Sequence, residues 1–316
     1  MRPLSNLFSK SARVRDVQRS LRLSQFFDDK YIAFARTTKR RSDLDQYAFD
    51  RHMRAQLGNK YLSDITSEDI DKWIMQQVAD GYKPATVNKH SSMLRRVLNI
   101  AVHWGYLDHN VFKNTAIRKL PVGDYVQRFL KEAEIKRLLH ACQHSTHPYL
   151  YLFIKLLLLT GARKSELRLA RWQDIDTSKR ELFVEVSKSG RSRTVMLSNA
   201  AITVLQQVRA KADALGLDVG NDAYVFTNPR TNQPYTSFHL AFFEARKQAG
   251  LDSVRIHDLR HTYASLLINN GASIYEVQQL LGHSHISMTE RYAHLFPSTL
   301  QDRVDIISSK IDLDRI

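Results

Sequence analysis

The sequence predicts a mainly α protein with a small antiparallel sheet, divided into an N-terminal helical domain and a larger mixed α/β domain. Three observations carry this. Apolar residues recur at helical spacing along most of the chain. Two runs rich in β-branched residues, 181–186 and 193–197, flank a polar connection containing Gly190, the signature of a hairpin with a longer loop. A segment of little periodicity, 113–127, holds Pro121 and Gly123 between the two helical parts. The 316 residues suffice for two domains with cores of their own.

The elements follow in order. Residues 1–22 carry Arg2, Lys10, Arg13, Arg15, Arg19 and Arg22 and read as a basic tail, too short for an independent domain. The helical domain spans 23–112. Leu23, Phe26, Phe27 and Phe34 give its first apolar stripe, and Tyr47 and Phe49 a second segment ending near Gly58. Thr66 with Asp69 forms an N-cap pair for a helix running to Gly81. Pro84 suits the first turn of a long helix with Val87, Leu94, Val97, Leu98 and Ala101 on one face, closed by Gly105. Lys83, Lys89, Arg95 and Arg96 on this segment are either a solvated face or contacts to DNA. After the linker, 113–127, the second domain occupies 128–297. Its most apolar run, Leu150–Thr160, reads as a buried helix. Ser287 and Glu290 form a capping-box pair ahead of Tyr292. Leu300, Val304, Ile307 and Ile311 make an amphipathic C-terminal helix over 298–316, whose apolar stripe packs either on its own domain or on a neighbouring protomer.

The formal net charge is +15, and the smaller N-terminal part is the more basic. Such an excess points to a polyanion, either nucleic acid or an anionic membrane. The apolar run is broken by Lys155 and falls far short of the ~20 residues a spanning helix needs, which argues against a membrane role. The N-terminus lacks an apolar core of signal-peptide length, and the single cysteine, Cys142, has no partner for an internal disulfide. Both fit a reducing cytoplasm. His140 and His144 have helical spacing, but Cys142 points elsewhere and no acidic cluster accompanies them, so no metal site is expected.

Six residues of the C-terminal half stand in distinctive strings. Arg163 lies in LLTGARKSEL, Lys188 in EVSKSGRSRTVML, His257 and Arg260 in IHDLRHTYAS, His283 in LLGHSH and Tyr292 in TERYAHL. In this order and spacing they resemble the active site of the tyrosine recombinases, the phage-integrase family of DNA strand-transfer enzymes. The resemblance covers roughly residues 23–300, strongest in these strings. One departure follows the long helix, where Asn110-Val111 stands in place of the family's usual Asn-Pro. The resemblance implies a SAM-like core-binding domain and an integrase-type catalytic domain, together a C-shaped DNA clamp.

The chemistry fits those residue types. Cleaving a phosphodiester without a metal needs a nucleophile and a stabiliser of the growing negative charge. Arginine stays charged and offers a planar donor fork to phosphate. The resemblance makes Arg163 and Arg260 the phosphate clamp and Tyr292 the nucleophile of a 3′-phosphotyrosyl intermediate. It makes Lys188 the general acid at the leaving 5′-oxygen, with Arg191 and Arg193 in the same loop as alternative phosphate contacts. His257 would assist proton movement and His283 would hydrogen-bond the scissile phosphate. Glu166, three residues after Arg163, shares its helical face and orients it. His261, His285 and His294 read as structural or solvent-facing. No cofactor is expected, since the phosphotyrosyl bond conserves the energy for religation and no Walker-type loop is present.

The family implies a homotetramer joining two double-stranded DNA sites, in a bacterial or phage-infected cell at the nucleoid. An excision factor or a host DNA-bending protein is a further potential partner. Two other readings stand beside this one. A type IB topoisomerase uses a similar site to relax DNA without exchanging partners, and a DNA-binding protein with a degenerate site would form no covalent adduct.

Overall fold

The computed structural model describes residues 21–39, 41–123, 128–185 and 192–293. Lys188, Arg191, His294, residues 1–20 of the basic tail and the C-terminal amphipathic stripe lie outside the described residues. The chain divides into two compact units, residues 1–125 and 126–316.

In unit 1 the first helical rod, α1, covers residues 23–38. It begins as Leu23–Phe26, passes through a π-helical stretch Phe27–Tyr31 and finishes as Ile32–Thr38. The extra residue of the π stretch rotates the apolar stripe. Tyr31, Ile32 and Ala35 are therefore buried, while Phe34, expected in the stripe, is only partly covered. Helix α2 (Asp43–His52) places Phe49 flat on Phe27, with ring centroids 3.9 Å apart. Helix α3 (Ser67–Ala79) starts at the expected Thr66–Asp69 box: Asp69 N donates to Thr66 Oγ1 and Thr66 N donates to Asp69 Oδ2. Helix α4 (Pro84–His103) buries Val87, Leu94, Val97, Leu98 and Ala101 and closes through Gly105, whose φ is +79°.

Asn110 explains why the chain turns there without a proline. Its Oδ1 accepts from Phe112 N, capping a 3₁₀ turn, while its Nδ2 donates to Arg95 O. The first half of the segment read as a linker is strapped to unit 1. Ala116 N and Ile117 N donate to the Asp71 carboxylate, and the Asn88 side chain pairs with both backbone groups of Leu120.

In unit 2, helix α5 (Glu132–Gln143) packs against the buried helix α6 (Leu150–Thr160), which ends at Gly161. A short helix α7 (Lys164–Leu169) leads into a sheet of β1 (Ile175–Asp176), β2 (Glu181–Val184) and β3 (Arg193–Met196). The β2–β3 pairing is antiparallel, with Leu182 opposite Val195 and Val184 opposite Arg193. Leu182 and Val195 are its buried layer. Helix α8 (Asn199–Ala214) covers α6, and a small hairpin joins β4 (Thr227–Asn228) to β5 (Gln233–Pro234). Helices α9 (His239–Gln248), α10 (Asp258–Asn269), α11 (Ile274–Leu281) and α12 (Ser287–Glu290) follow. Helix α10 packs on α6.

The expected capping box before Tyr292 does not form. Ile286 is the N-cap of α12 and Ser287 already lies inside a helix of 4 residues. The box forms one helix earlier, where Glu276 N donates to Ser273 Oγ and Ser273 N donates to Glu276 Oε2.

Candidate active site

The site is built where two helices end. Helix α6 stops at Gly161 and α11 at Gly282, with φ of +59° and +63°. Glycine is required at both for shape as well as φ. A Cβ at Gly161 would lie 2.3 Å from Cδ1 of Tyr263, and one at Gly282 would lie 2.5 Å from Cδ of Arg193.

Three successive carbonyls at the end of α11 each meet a different arginine. Arg193 Nη1 donates to Leu280 O at 3.2 Å, Arg260 Nη2 to Leu281 O at 2.6 Å, and Arg163 Nη2 to Gly282 O at 3.5 Å. These carbonyls have no partner within the helix and carry the negative end of its dipole, so cations settle there. Arg260 also donates from Nη1 to Gly161 O at 2.7 Å, tying both helix ends to one guanidinium. Its side chain rises from the start of α10 and is buried. Burial lowers its pKa to about 9, with repulsion from Arg163 and Arg193 adding to the effect, so it stays charged at neutral pH.

Glu166 binds two of these arginines. Its Oε1 accepts from Arg163 Nη1 at 2.7 Å, and its two oxygens accept from Arg193 Nε and Nη2 at 3.1 and 2.7 Å. Burial pushes this carboxyl up, but Arg193 and then Arg163 outweigh burial and hold it below the usual carboxylate range. The i, i+3 pairing of Arg163 with Glu166 is thus realised as a charged hydrogen bond.

Tyr292 is 2% exposed and sits in a satellite core with Ala264, Ile268, Val277 and Leu281. Its hydroxyl is hydrogen-bonded to His261 Nδ1 at 2.5 Å. His261, read from sequence as structural or solvent-facing, is therefore an interior residue against the phenol. The sequence signal for it was its place one helical turn after His257 on α10; the two rings lie 4.9 Å apart. His257 occupies the N-cap of α10 with its outer side exposed. His283 follows the α11 turn and pairs through Nδ1 with the buried Thr289 Oγ1 at 2.8 Å.

These histidines are held neutral. Burial, then Arg260 and Arg163, lowers His283 to about 3; burial, then His257, lowers His261 to about 4. The unfolded chain therefore binds protons that the folded chain excludes. Stability from these groups is complete above the ordinary histidine value of ~6.5 and falls as pH drops from there toward 4. Urea unfolding at pH 7 and pH 4.5 should show a lower midpoint at the acid end; an unchanged midpoint would contradict neutral burial.

Arg163, His257, Arg260, His283 and Tyr292 thus come together within unit 2, joined by Glu166 and by mutual charge effects. The guanidinium of Arg193, expected as a phosphate contact, is hydrogen-bonded to Glu166 and Leu280 O. In unit 1, Lys83, Lys89 and Arg96 are exposed, and Lys89 and Arg96 border a shallow pocket with Lys39. Arg95 is partly exposed, and its guanidinium lies over the Phe112 ring at 4.9 Å. Beside Arg163 and His257 opens a cleft of 680 Å³ lined also by Phe242, Arg246 and Met288.

Comparison with known proteins gives the family. Residues 128–299 match the phage integrase family. The tyrosine recombinase XerC of Bacillus pumilus is 32% identical over 263 residues, 80% of this chain and 84% of that protein. The chain belongs to the phage integrase family. The integrase of Haemophilus phage HP1 is also 32% identical, over 70% of this chain but 59% of the relative's length. Among solved structures, the Tn1549 transposon integrase in complex with circular intermediate DNA superimposes with a TM-score of 0.74 at 20% identity, covering 91% of this chain and 99% of that one. A λ integrase dimer bound to a core site gives 0.71 at 24% identity, covering 90% and 80%. For this phage integrase family member the fold is that of the tyrosine recombinases, mostly helical with small antiparallel sheets. The matched segment contains all six residues singled out in the sequence, while the exposed cations of unit 1 precede it.

Proposed function

We propose that this chain is a site-specific recombinase that cleaves and rejoins double-stranded DNA through a 3′-phosphotyrosyl link at Tyr292. The observation that carries the reading is the convergence of Arg163 and Arg260 on the α11 carbonyls beside Tyr292. Each guanidinium has five N–H donors, and the protein acceptors described take only two from each. The remaining donors offer a preorganised cradle for the two non-bridging oxygens of a phosphodiester.

In the reaction Tyr292 Oη attacks phosphorus. The Oη–P bond forms, the bond from phosphorus to the 5′-oxygen breaks, and the phenol proton leaves. The 5′-oxygen takes up a proton, from Lys188 in this reading. One phosphoester replaces another, so a 5′-hydroxyl can reverse the step without ATP or a metal. Burial keeps the phenol protonated at rest by raising its pKa. The neutral His261 ring touching Oη is placed to hold that proton, and His257 stands at the rim toward solvent. Lys83, Lys89 and Arg96 supply backbone contacts from unit 1. A tetramer on two duplexes is the assembly this chemistry serves, because strand exchange needs nucleophiles on both partners.

Duplexes selected by binding from a random-sequence pool, then nicked at successive positions, test the reading. A nick lets the short product diffuse away and traps the intermediate. An adduct that survives denaturing electrophoresis, with phosphotyrosine mapped to Tyr292, is the expected result. Bound duplexes that never become linked would rule out strand transfer.

A further inference from the structure

We propose that Arg193 is a positioning residue, a third arginine that fixes Arg163 and the turn carrying His283 instead of touching DNA. This rests on the strand-transfer reading above. Each of its three guanidinium nitrogens already has a protein acceptor: Nε and Nη2 on Glu166, and Nη1 on Leu280 O. Its side chain is 9% exposed and lies against the 4% exposed Glu166.

The connections explain what it fixes. Glu166 lies between Arg193 and Arg163, so one carboxylate sets the position of both guanidiniums. Arg193 also opens β3 opposite Val184, which ties the sheet to α7 and to the end of α11 through a single side chain. Its stem fills the space beside Gly282, where a Cβ would meet Arg193 Cδ at 2.5 Å. Removing the guanidinium leaves a buried carboxylate with one cation where it had two. Glu166 then takes up a proton more readily, and a protonated Glu166 holds Arg163 less firmly. Displacing a phosphate-binding group by ~1 Å costs ~100-fold in rate.

The experiment compares wild type, Arg193→Ala and Arg193→Lys as full chains, reading DNA affinity against salt and adduct formation on the nicked duplex against pH. For Arg193→Ala we expect an unchanged salt slope, affinity within about twofold, adduct formation slowed ~100-fold and an acid limb moved to higher pH. Arg193→Lys keeps the charge and most of the stem but cannot bridge both oxygens of Glu166, so it should be slowed about tenfold. Combining Arg193→Ala with Glu166→Gln should add little beyond the slower single variant, since both act on Arg163.

A salt slope shallower by ~1 with weakened binding would make Arg193 a DNA contact and overturn the proposal. So would an adduct rate and pH profile equal to wild type. If Arg193→Ala does not fold, Arg193→Lys decides on the same readouts. Wild type that forms no adduct removes the strand-transfer reading and this one together; a wild-type adduct with unaffected variants removes this one alone.

Discussion

Tyr292→Phe should abolish the covalent adduct while leaving DNA affinity within about twofold. The change removes one oxygen, and that oxygen is the only atom asked to bond phosphorus. At rest it is buried on His261, so its loss removes no surface contact. Stability should fall by ~1–3 kcal/mol, because His261 Nδ1 loses its bond to the phenol in a place that water does not easily reach. Two measurements separate the effects: adduct yield on the nicked duplex and the urea midpoint. An adduct persisting in this variant would transfer the nucleophile role to another tyrosine. Tyr275 on α11 is 70% exposed and would be the first to replace, whereas the Tyr263 ring packs against the Cα of Gly161.

That geometry shows which parts of the site the sequence disclosed. Arg163, Arg260, His257, His283 and Tyr292 were picked out by the resemblance of their strings to those of the tyrosine recombinases, and the fold brings them together in unit 2. Glu166 was legible from helical spacing, being three residues from Arg163. What spacing does not encode is the meeting of distant segments. Arg193 reads as one more cation in a basic loop until β3 brings it against Glu166, 27 residues earlier in the chain, and Leu280, 87 later. His261 reads as an adjacent histidine until α12 folds Tyr292 onto it. The short strands β1, β4 and β5 have two residues each, too few for a period-2 pattern to register. The π stretch in α1 escaped because an inserted residue leaves composition unchanged and only shifts the phase of the stripe. The capping box at Ser287 was a correct motif in a wrong place: the same Ser-x-x-Glu pattern recurs at Ser273, and only the latter precedes a helix long enough to need it.

Arg260→Met should slow adduct formation by ~10³-fold while changing stability by less than ~2 kcal/mol. The two effects differ in size because Arg260 serves the two states differently. In the folded protein at rest its buried charge has lost hydration, and Arg163 and Arg193 repel it, which is why burial and those neighbours lower its pKa to about 9. Its bonds to Gly161 O and Leu281 O offset that cost. Methionine removes the desolvation cost and the repulsion, fills much of the same volume and leaves two carbonyls short of a donor, at ~1–3 kcal/mol each. Those terms nearly cancel. In the transition state nothing cancels. Negative charge grows on oxygens that Arg260 would meet inside a low-dielectric site, and a thioether offers no donor there. A residue retained for the fold would show the opposite pattern, a large drop in melting temperature with a proportionate loss of activity. The comparison of melting temperature with adduct rate in this one variant therefore distinguishes a clamp from a strut. Loss of both together would mean that Arg260 chiefly holds the α6 and α11 ends in place.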